Sequence, residues 1–216
     1  MRKARPRKSY HHGDLRRALV EEAVRIISDE GVAGLTLRAV GARLGVSRTA
    51  LYRHFADKGT LLAVVAAEGF RAFRAALHDA VVSNGGGVAG FEAMGRGYIT
   101  FALEHPSHYR VMFGGFLEAC PRSPEMVAEA EGSFRVLVDS IVSLQQAGYV
   151  RTGDPQQLAR YVWAVSHGVA MLVLDGQLPD VNPMDEMRYA IGRIRDGIAA
   201  HPDEPRSGNE PPPHGV

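Results

Sequence analysis

Residues 36–55, TLRAVGARLGVSRTALYRHF, set two short segments of helical apolar spacing on either side of one glycine, with almost no chain between them. Two helices joined so tightly must cross at a steep angle, and that constrains three kinds of position. The first helix needs a small residue where the second touches it, and Gly41 stands there. The turn needs a residue that tolerates positive φ, which Gly45 supplies. Apolar residues must plug the small core, and Val40, Leu44, Val46 and Leu51 occupy those spacings. The pattern is that of a helix-turn-helix. A buried pair of ordinary helices meets the same demands, so the polar residues must decide what the turn is for.

Charge is distributed unevenly around this stretch. Residues 1–60 hold 13 Lys and Arg against 6 Asp and Glu, whereas the rest of the 216-residue chain holds 12 against 18. A basic N-terminal module on an acidic body is the electrostatic footprint of a polyanion binder whose second part does something else. The basic residues do not lie opposite an apolar face that would insert into lipid, so nucleic acid is the expected partner and a membrane is not. Apolar residues make up 45% and charged residues 23%, as in globular proteins. No apolar run reaches the roughly 18 residues of a spanning helix, and no apolar region follows the basic start, which predicts a cytoplasmic protein. The single cysteine, Cys120, excludes an intrachain disulfide and a zinc site built on several thiolates.

Along the chain the apolar period is helical throughout, which predicts an all-α fold. Met1 to Tyr10 is a basic, Pro-containing arm without periodicity. Asp14 is the expected cap of a first helix carrying Leu15, Leu19, Ala23, Ile26 and Ile27 and ending at Gly31. Thr36 caps a second, Ser47 opens a third that runs to about Phe55, and Asp57-Lys58 opens a fourth that continues through Phe73 and Leu77. "SNGGG" at 83–87 breaks the chain, and further helices are predicted near 88–104, 107–116, 124–147, 155–175 and 183–199. The resulting scheme is a flexible arm at 1–13, a DNA-binding module at 14–60, a helical body at 61–200 and a polar, Pro-rich disordered tail at 201–216.

In a helix-turn-helix the second helix presents its N-terminal side chains to the major groove, here Ser47, Arg48, Thr49 and Tyr52. Ser47 as N-cap turns amides toward a phosphate, Tyr52 and His54 offer further donors, and Lys58 brings an ammonium to the backbone. The alternative is a solvated basic face on an ordinary helix.

Thr36-Leu37-Arg38, Leu44-Gly45-Val46-Ser47, Leu51-Tyr52-Arg53-His54-Phe55, Lys58 and Leu61-Leu62 together resemble the N-terminal signature of TetR-family (AcrR-like) transcriptional regulators, over about residues 14–65. The resemblance implies a three-helix DNA-binding domain joined through a fourth helix to a helical ligand-binding and dimerisation domain. It also implies a homodimeric repressor that is released from a double-stranded, palindromic operator by a small molecule, and not an enzyme. By position, Arg38, Arg48 and Thr49 match base-reading residues, while Thr36, Ser47, Tyr52, His54 and Lys58 match phosphate contacts. Gly41 stands where Ala is more usual, at a helix-propensity cost of about 1 kcal/mol. Arg2, Lys3, Arg5, Arg7 and Lys8 suit backbone or minor-groove contact, or else a solubilising tail.

The densest apolar stretch of the body is "YVWAVSHGVAMLVL" at 161–174. Trp163-Ala164-Val165-Ser166-His167-Gly168 resembles a Trp-x3-His-Gly pattern found in the second domain of one TetR subgroup. His167 is open to two readings, a core histidine with an internal partner or a group that orients a ligand. Tyr98, Phe101, Tyr109, Met112, Phe113, Phe116, Trp163, His167 and Met171 are the candidates for lining an effector cavity, and the same residues suit a packed core. An apolar or amphipathic effector with one or two polar handles follows from such a lining. The same family resemblance implies that the helices near 155–175 and 183–199 form the homodimer surface. Val162, Val169, Leu172 and Val173 on one, with Met187, Ala190, Ile191, Ile194 and Ile198 on the other, suit a dimer seam or an internal core alike.

Other motifs fail on context. "GGGVAG" at 85–90 satisfies G-x-G-x-x-G, yet a helix precedes it rather than a strand. His11-His12 and the pair His105 and His108 lack companion ligands, so no metal is expected, and no cofactor. Cys120 beside Pro121 has no neighbouring base to make it a nucleophile. Two alternatives to a ligand-responsive repressor remain: a ligand-independent activator or nucleoid-type binder, and an enzyme on a helical scaffold, for which no acid, base or nucleophile stands out.

Overall fold

The computed structural model of the chain describes residues 12–119 and 123–200. The basic arm through His11, residues 120–122 with Cys120 and Pro121, and the tail at 201–216 lie outside the described residues, as do the side chains of His12 to Asp14, Glu118 and Ala119. Among the described residues the chain is all-α: α1 (His12–Gly34), α2 (Leu37–Leu44), α3 (Arg48–Tyr52), α4 (Lys58–Ser83), α5 (Gly87–Glu104), α6 (Pro106–Phe113), α7 (Pro124–Gln146), α8 (Pro155–Leu174) and α9 (Pro183–Ile198), with a 3-10 turn at Phe116–Ala119. An isolated antiparallel bridge joins Val150 and Ala199.

The starts and stops of these helices follow local chemistry. Thr36 Oγ1 accepts from the Ala39 amide at 3.0 Å, and Ser47 Oγ from that of Ala50 at 3.2 Å. Asp57 Oδ1 accepts from both the amide and the hydroxyl of Thr60, at 2.7 and 2.9 Å. Asp154 and Asn182 cap α8 and α9, each followed by a proline that needs no partner for the amide it lacks. α1 starts two residues before Asp14, the cap expected from the sequence, and is interrupted at Gly31 (φ 72°, ψ 173°), where the helical pattern ends. α6 stops at Phe113 because Gly114-Gly115 follows, with Gly115 at φ 78°.

The chain divides into two compact units. The first takes in the described residues up to Phe70 together with His105–Ala128, and the second Arg71–Glu104 and the described residues from Glu129 onward. In the first unit α1 packs on α2 and α6, and α2 on α3. Leu19, Ile26, Leu35, Val40, Leu51, Phe55 and Leu61 are buried there, while Leu44 and Val46, expected as plugs, are half-buried. A Cβ added at Gly41 would lie 3.1 Å from Leu51 Cδ1, so α2 and α3 meet closely at that residue. Gly45 adopts φ 65° and ψ 28°, and the Val46 amide donates back to the Gly41 carbonyl at 3.0 Å, reversing the chain in two residues.

In the second unit α5 packs on α8 and α9, and α8 on α9. Met187, Ala190, Ile191, Ile194 and Ile198 of α9, and Val162 of α8, are all buried inside this unit. The two readings left open by the sequence therefore resolve to internal core for these six. What α8 and α9 leave exposed is a different set, which includes Tyr161, Leu172 and Tyr189.

The left-handed turn yields a stability test. Gly45→Ala places a Cβ in a conformation that costs an L-residue roughly 1–2 kcal/mol, and chemical denaturation followed by circular dichroism should register a loss of that size. An unchanged midpoint would mean that the turn relaxes to another conformation.

Candidate nucleic-acid interface

The first unit sorts its charges. Each of the five acidic side chains between residues 15 and 60 has a partner within the unit: Glu21 meets Arg17 at 3.7 Å, Glu22 meets Arg25 at 2.8 Å and Arg43 at 3.5 Å, and Asp57 caps α4. Asp29 and Glu30 both bind Arg43, at 2.9 and 2.6 Å. Hydrogen bonds to Asp29 and then Glu30 push the Arg43 pKa upward, holding its charge, and the exposed guanidinium ties α2 to α1. Glu22 is nearly buried, and its two arginines compensate the cost of keeping a carboxylate there.

Arg38, Arg48 and Arg53 are left exposed, with no ion pair to any described residue. Arg38 and Arg48 border one concave face of about 570 Å³ between α2 and α3, with Tyr52 beside them and Leu37, Gly41, Ala42, Val46 and Leu51 forming its apolar floor. No carboxylate lines it. The Arg48 guanidinium carbon lies 5.3 Å from the centroid of the Tyr52 ring, one turn along α3.

Of the residues singled out from the sequence for DNA, Thr36, Arg38, Ser47, Arg48, Thr49 and Tyr52 are exposed. His54 and Lys58 are half-buried. The Thr36 and Ser47 oxygens are engaged as caps, and the Lys58 ammonium donates to the Val32 carbonyl at 2.7 Å, closing the end of α1 with one of its three protons. Arg53 is an exposed cation that the sequence reading passed over, although it stands in the quoted Tyr52-Arg53-His54 run. Arg16, whose guanidinium sits 5.4 Å from the Phe55 ring centroid, is another.

The residues singled out for an effector fall into both units. Tyr109, Met112, Phe113 and Phe116 belong to the first, where Tyr109 and Met112 are buried and the Phe113 ring lies against Tyr109 at 4.8 Å and Phe70 at 5.5 Å. Phe116 is exposed. Tyr98, Phe101, Trp163, His167 and Met171 belong to the second. There Trp163 Nε1 donates to the Tyr98 hydroxyl at 3.2 Å, and that hydroxyl lies 3.3 Å from His167 Nδ1. The indole donates to the phenol oxygen, and the phenol hydroxyl and Nδ1 share a hydrogen bond whose direction is set by the imidazole tautomer. Burial pushes the His167 pKa below its ordinary value, in agreement with a neutral ring. The rings of Phe73 and Phe134 stand edge-on to Tyr98 and Trp163, at 5.0 and 6.1 Å. Phe101 is buried beside Phe73, and Met171 is half-buried.

No group of three or more potential ligands is placed to hold a metal ion among the described residues, and none of their helices is long and apolar enough to cross a membrane. Gly85 and Gly86 take positive φ in the turn after α4, and Gly87, also at positive φ, opens α5, so a helix and not a strand precedes the G-x-G-x-x-G match.

Comparison with known proteins points one way. The profile of the family of bacterial regulatory proteins named for tetR matches residues 19–65, and that of a tetracyclin repressor-like C-terminal domain matches residues 91–191. A transcriptional repressor of the helix-turn-helix type, DrrR1 from Streptomyces coeruleorubidus, is 38% identical over 88 residues, which is 41% of this chain and 32% of the repressor. The chain thus spans about a third of that relative's length. A solved structure from Rhodococcus sp. RHA1, of a protein with unknown function, is 32% identical with a TM-score of 0.79, covering 89% of this chain and 100% of that one. The regulator PfmR from Thermus thermophilus shares the fold at 18% identity and a TM-score of 0.67, over 82% of this chain and 97% of its own.

The depressed pKa of His167 has a definite sign in stability. Below its ordinary value of about 6.5 the unfolded chain takes up a proton that the folded ring refuses, so stability present above that pH is lost as pH falls toward the folded pKa. His108, lowered by burial first and by His105 second, acts the same way in the other unit. His167→Gln should therefore flatten the dependence of the melting temperature on pH as pH falls below about 6.5, leaving the His108 share. An unaltered slope would show that His167 does not titrate differently in the folded chain.

Proposed function

Because the chain belongs to the TetR family of bacterial regulators, we propose that it is a ligand-responsive, sequence-specific transcriptional repressor that binds a palindromic operator as a homodimer and leaves it when a small apolar or amphipathic effector binds. The observation that carries this reading is the segregation of charge in the first unit. Its acids are absorbed by α1-side arginines and by a helix cap, while Arg38 and Arg48 flank a concave face free of carboxylates. A duplex seated there meets cations that need not first break an ion pair.

In this reading residues 14–60 bind DNA and 61–200 form the effector-binding and dimerisation body. Arg38, Arg48 and Thr49 face base edges, and Thr36, Ser47, Tyr52, His54 and Lys58 position the backbone. In the body, Tyr98, Trp163 and His167 are the polar handle for an otherwise apolar effector, with Phe101 and Met171 on its apolar side. Two copies pair through α8 and α9. The exposed Tyr161 and Leu172 support this, as does Gly168, where an added Cβ would meet nothing within 4 Å and a second helix has room to approach. One recognition helix reads too few bases for specificity, and a two-fold dimer doubles the site into a palindrome.

Two measurements test these statements. Selection of bound duplexes from a random pool should yield a palindrome. Arg48→Ala should cost about 1–3 kcal/mol on it and relax one base position, while Lys58→Ala should weaken all sequences alike and reduce the salt slope by about 1. Lys58 also closes α1, so its melting curve is taken alongside. An equal, sequence-blind loss in both variants would remove the distinction between readers and clamps. Separately, Leu172→Glu should convert a dimer to a monomer in sedimentation at micromolar protein, and an unchanged dimer would place the two-fold surface elsewhere.

A further inference from the structure

The sequence reading gives Tyr52 a phosphate contact through its hydroxyl, and the structure engages its ring as well. The Arg48 guanidinium lies over that ring at 5.3 Å, and the two side chains border the same concave face as Arg38. Both are exposed, and no acidic residue lines the face or pairs with Arg48 among the described residues. A free arginine on an exposed five-residue helix samples many rotamers, and ordering it on a ligand costs entropy. A cation over an aromatic face is attracted by the ring quadrupole, and the contact leaves N–H donors available to an acceptor.

We propose that Tyr52 is a positioning residue for Arg48: its ring holds the guanidinium ready to meet the O6 and N7 acceptors of a guanine in the major groove, so that preference for guanine at one position of each half-site depends on the ring and not on the hydroxyl. This rests on the DNA-binding reading above and adds to it a base identity and the residue that enforces it. Guanine follows from the chemistry of the fork, since of the four bases only guanine offers two acceptors to paired donors along its major-groove edge. Arg38, from α2, approaches the same face from the other side and gives the groove a second cation without an internal partner among the described residues.

The experiment uses the full chain as wild type, Tyr52→Phe, Tyr52→Leu and Arg48→Lys, each checked for fold by circular dichroism. Bound duplexes are selected from a random pool, and affinities are then measured on the selected site and on single-base variants at two salt concentrations. Wild type should enrich guanine at one position per half-site. Arg48→Lys, which keeps the charge but loses the fork, should cut discrimination there by about ten-fold or more. Tyr52→Leu should cut it by about two- to five-fold, and Tyr52→Phe should retain it. The proposal is overturned if Tyr52→Phe and Tyr52→Leu weaken every sequence equally while guanine preference persists, the mark of a hydroxyl on phosphate. It is also overturned if Arg48→Lys leaves the preference intact. A wild-type protein that enriches no sequence would instead bring down the regulatory reading beneath it, a result recognisable before any variant is compared.

Discussion

The approach of α2 to α3 at Gly41 and Leu51 governs everything the first unit can present to a partner. α3 has five residues, of which only Leu51 is buried, and a helix that short has no stability of its own. Its direction is therefore inherited. Leu51 sets how deeply it sits against α2, the left-handed Gly45 sets the angle at which the chain leaves α2, and the Ser47 cap sets where the helix begins. α2 is positioned in turn by Arg43, which reaches three acids of α1. Each outward-facing side chain of α3 is thus placed by contacts made elsewhere, and for that reason Arg48 and Tyr52 hold a defined relation to Arg38 on another helix.

The same arrangement explains why a modest net charge is compatible with a strongly cationic face. Had Glu21, Glu22, Asp29 and Glu30 been distributed at random, some would have paired with Arg38 or Arg48 and neutralised the face locally. They stand instead on α1, and Arg43, Arg25 and Arg17 meet them there. Arg43 holds the helices together while drawing the acids away from the groove, so one side chain serves both packing and field. Of the cations counted in the N-terminal excess, only part is available to a polyanion, and the sequence total overstates the number of phosphates that the described residues can neutralise.

What was legible in the sequence is what is local. Helical spacing, capping residues followed by proline, and glycines at the turns report on the nearest few residues, and the helices near 88–104, 124–147, 155–175 and 183–199 lie within a residue or so of α5, α7, α8 and α9. The groove residues Arg48 and Tyr52 were legible for the same reason, since one turn of α3 brings them to one side, and the glycine turn between the two helices brings Arg38 of α2 to the same face. Interactions across long stretches of chain were not. Nothing in the spacing says that Arg43 meets Asp29 and Glu30, that Lys58 closes α1 on the Val32 carbonyl, or that Tyr98 sits between Trp163 and His167. Nor does an apolar stripe on α9 say whether it faces its own chain or another. Met187, Ile191 and Ile194 face their own because α5 and α8 are there to cover them, a fact of tertiary packing that hydrophobicity cannot encode.

The Tyr98, Trp163 and His167 chain, proposed above as the polar handle for an effector, runs from a buried phenol out to an exposed indole. A polar group in an apolar surrounding is costly unless it is satisfied, and the buried Tyr98 hydroxyl is met by the indole of the more exposed Trp163 and by Nδ1 of the half-buried His167. That mutual satisfaction is sufficient reason for them to be present in a stable fold. It also bears on what an effector must do: a polar group entering among them gains affinity only if it forms hydrogen bonds at least as good as those it displaces. A purely apolar molecule would leave the chain intact, and one with a matched donor or acceptor would rearrange it. Only the second kind distinguishes one arrangement of the body from another through its polar contacts, and a ligand shifts an equilibrium between states only by its difference in affinity for them. An effector acting through these residues should therefore carry a hydrogen-bonding group at the end that meets His167, with the apolar remainder contributing affinity and not selectivity.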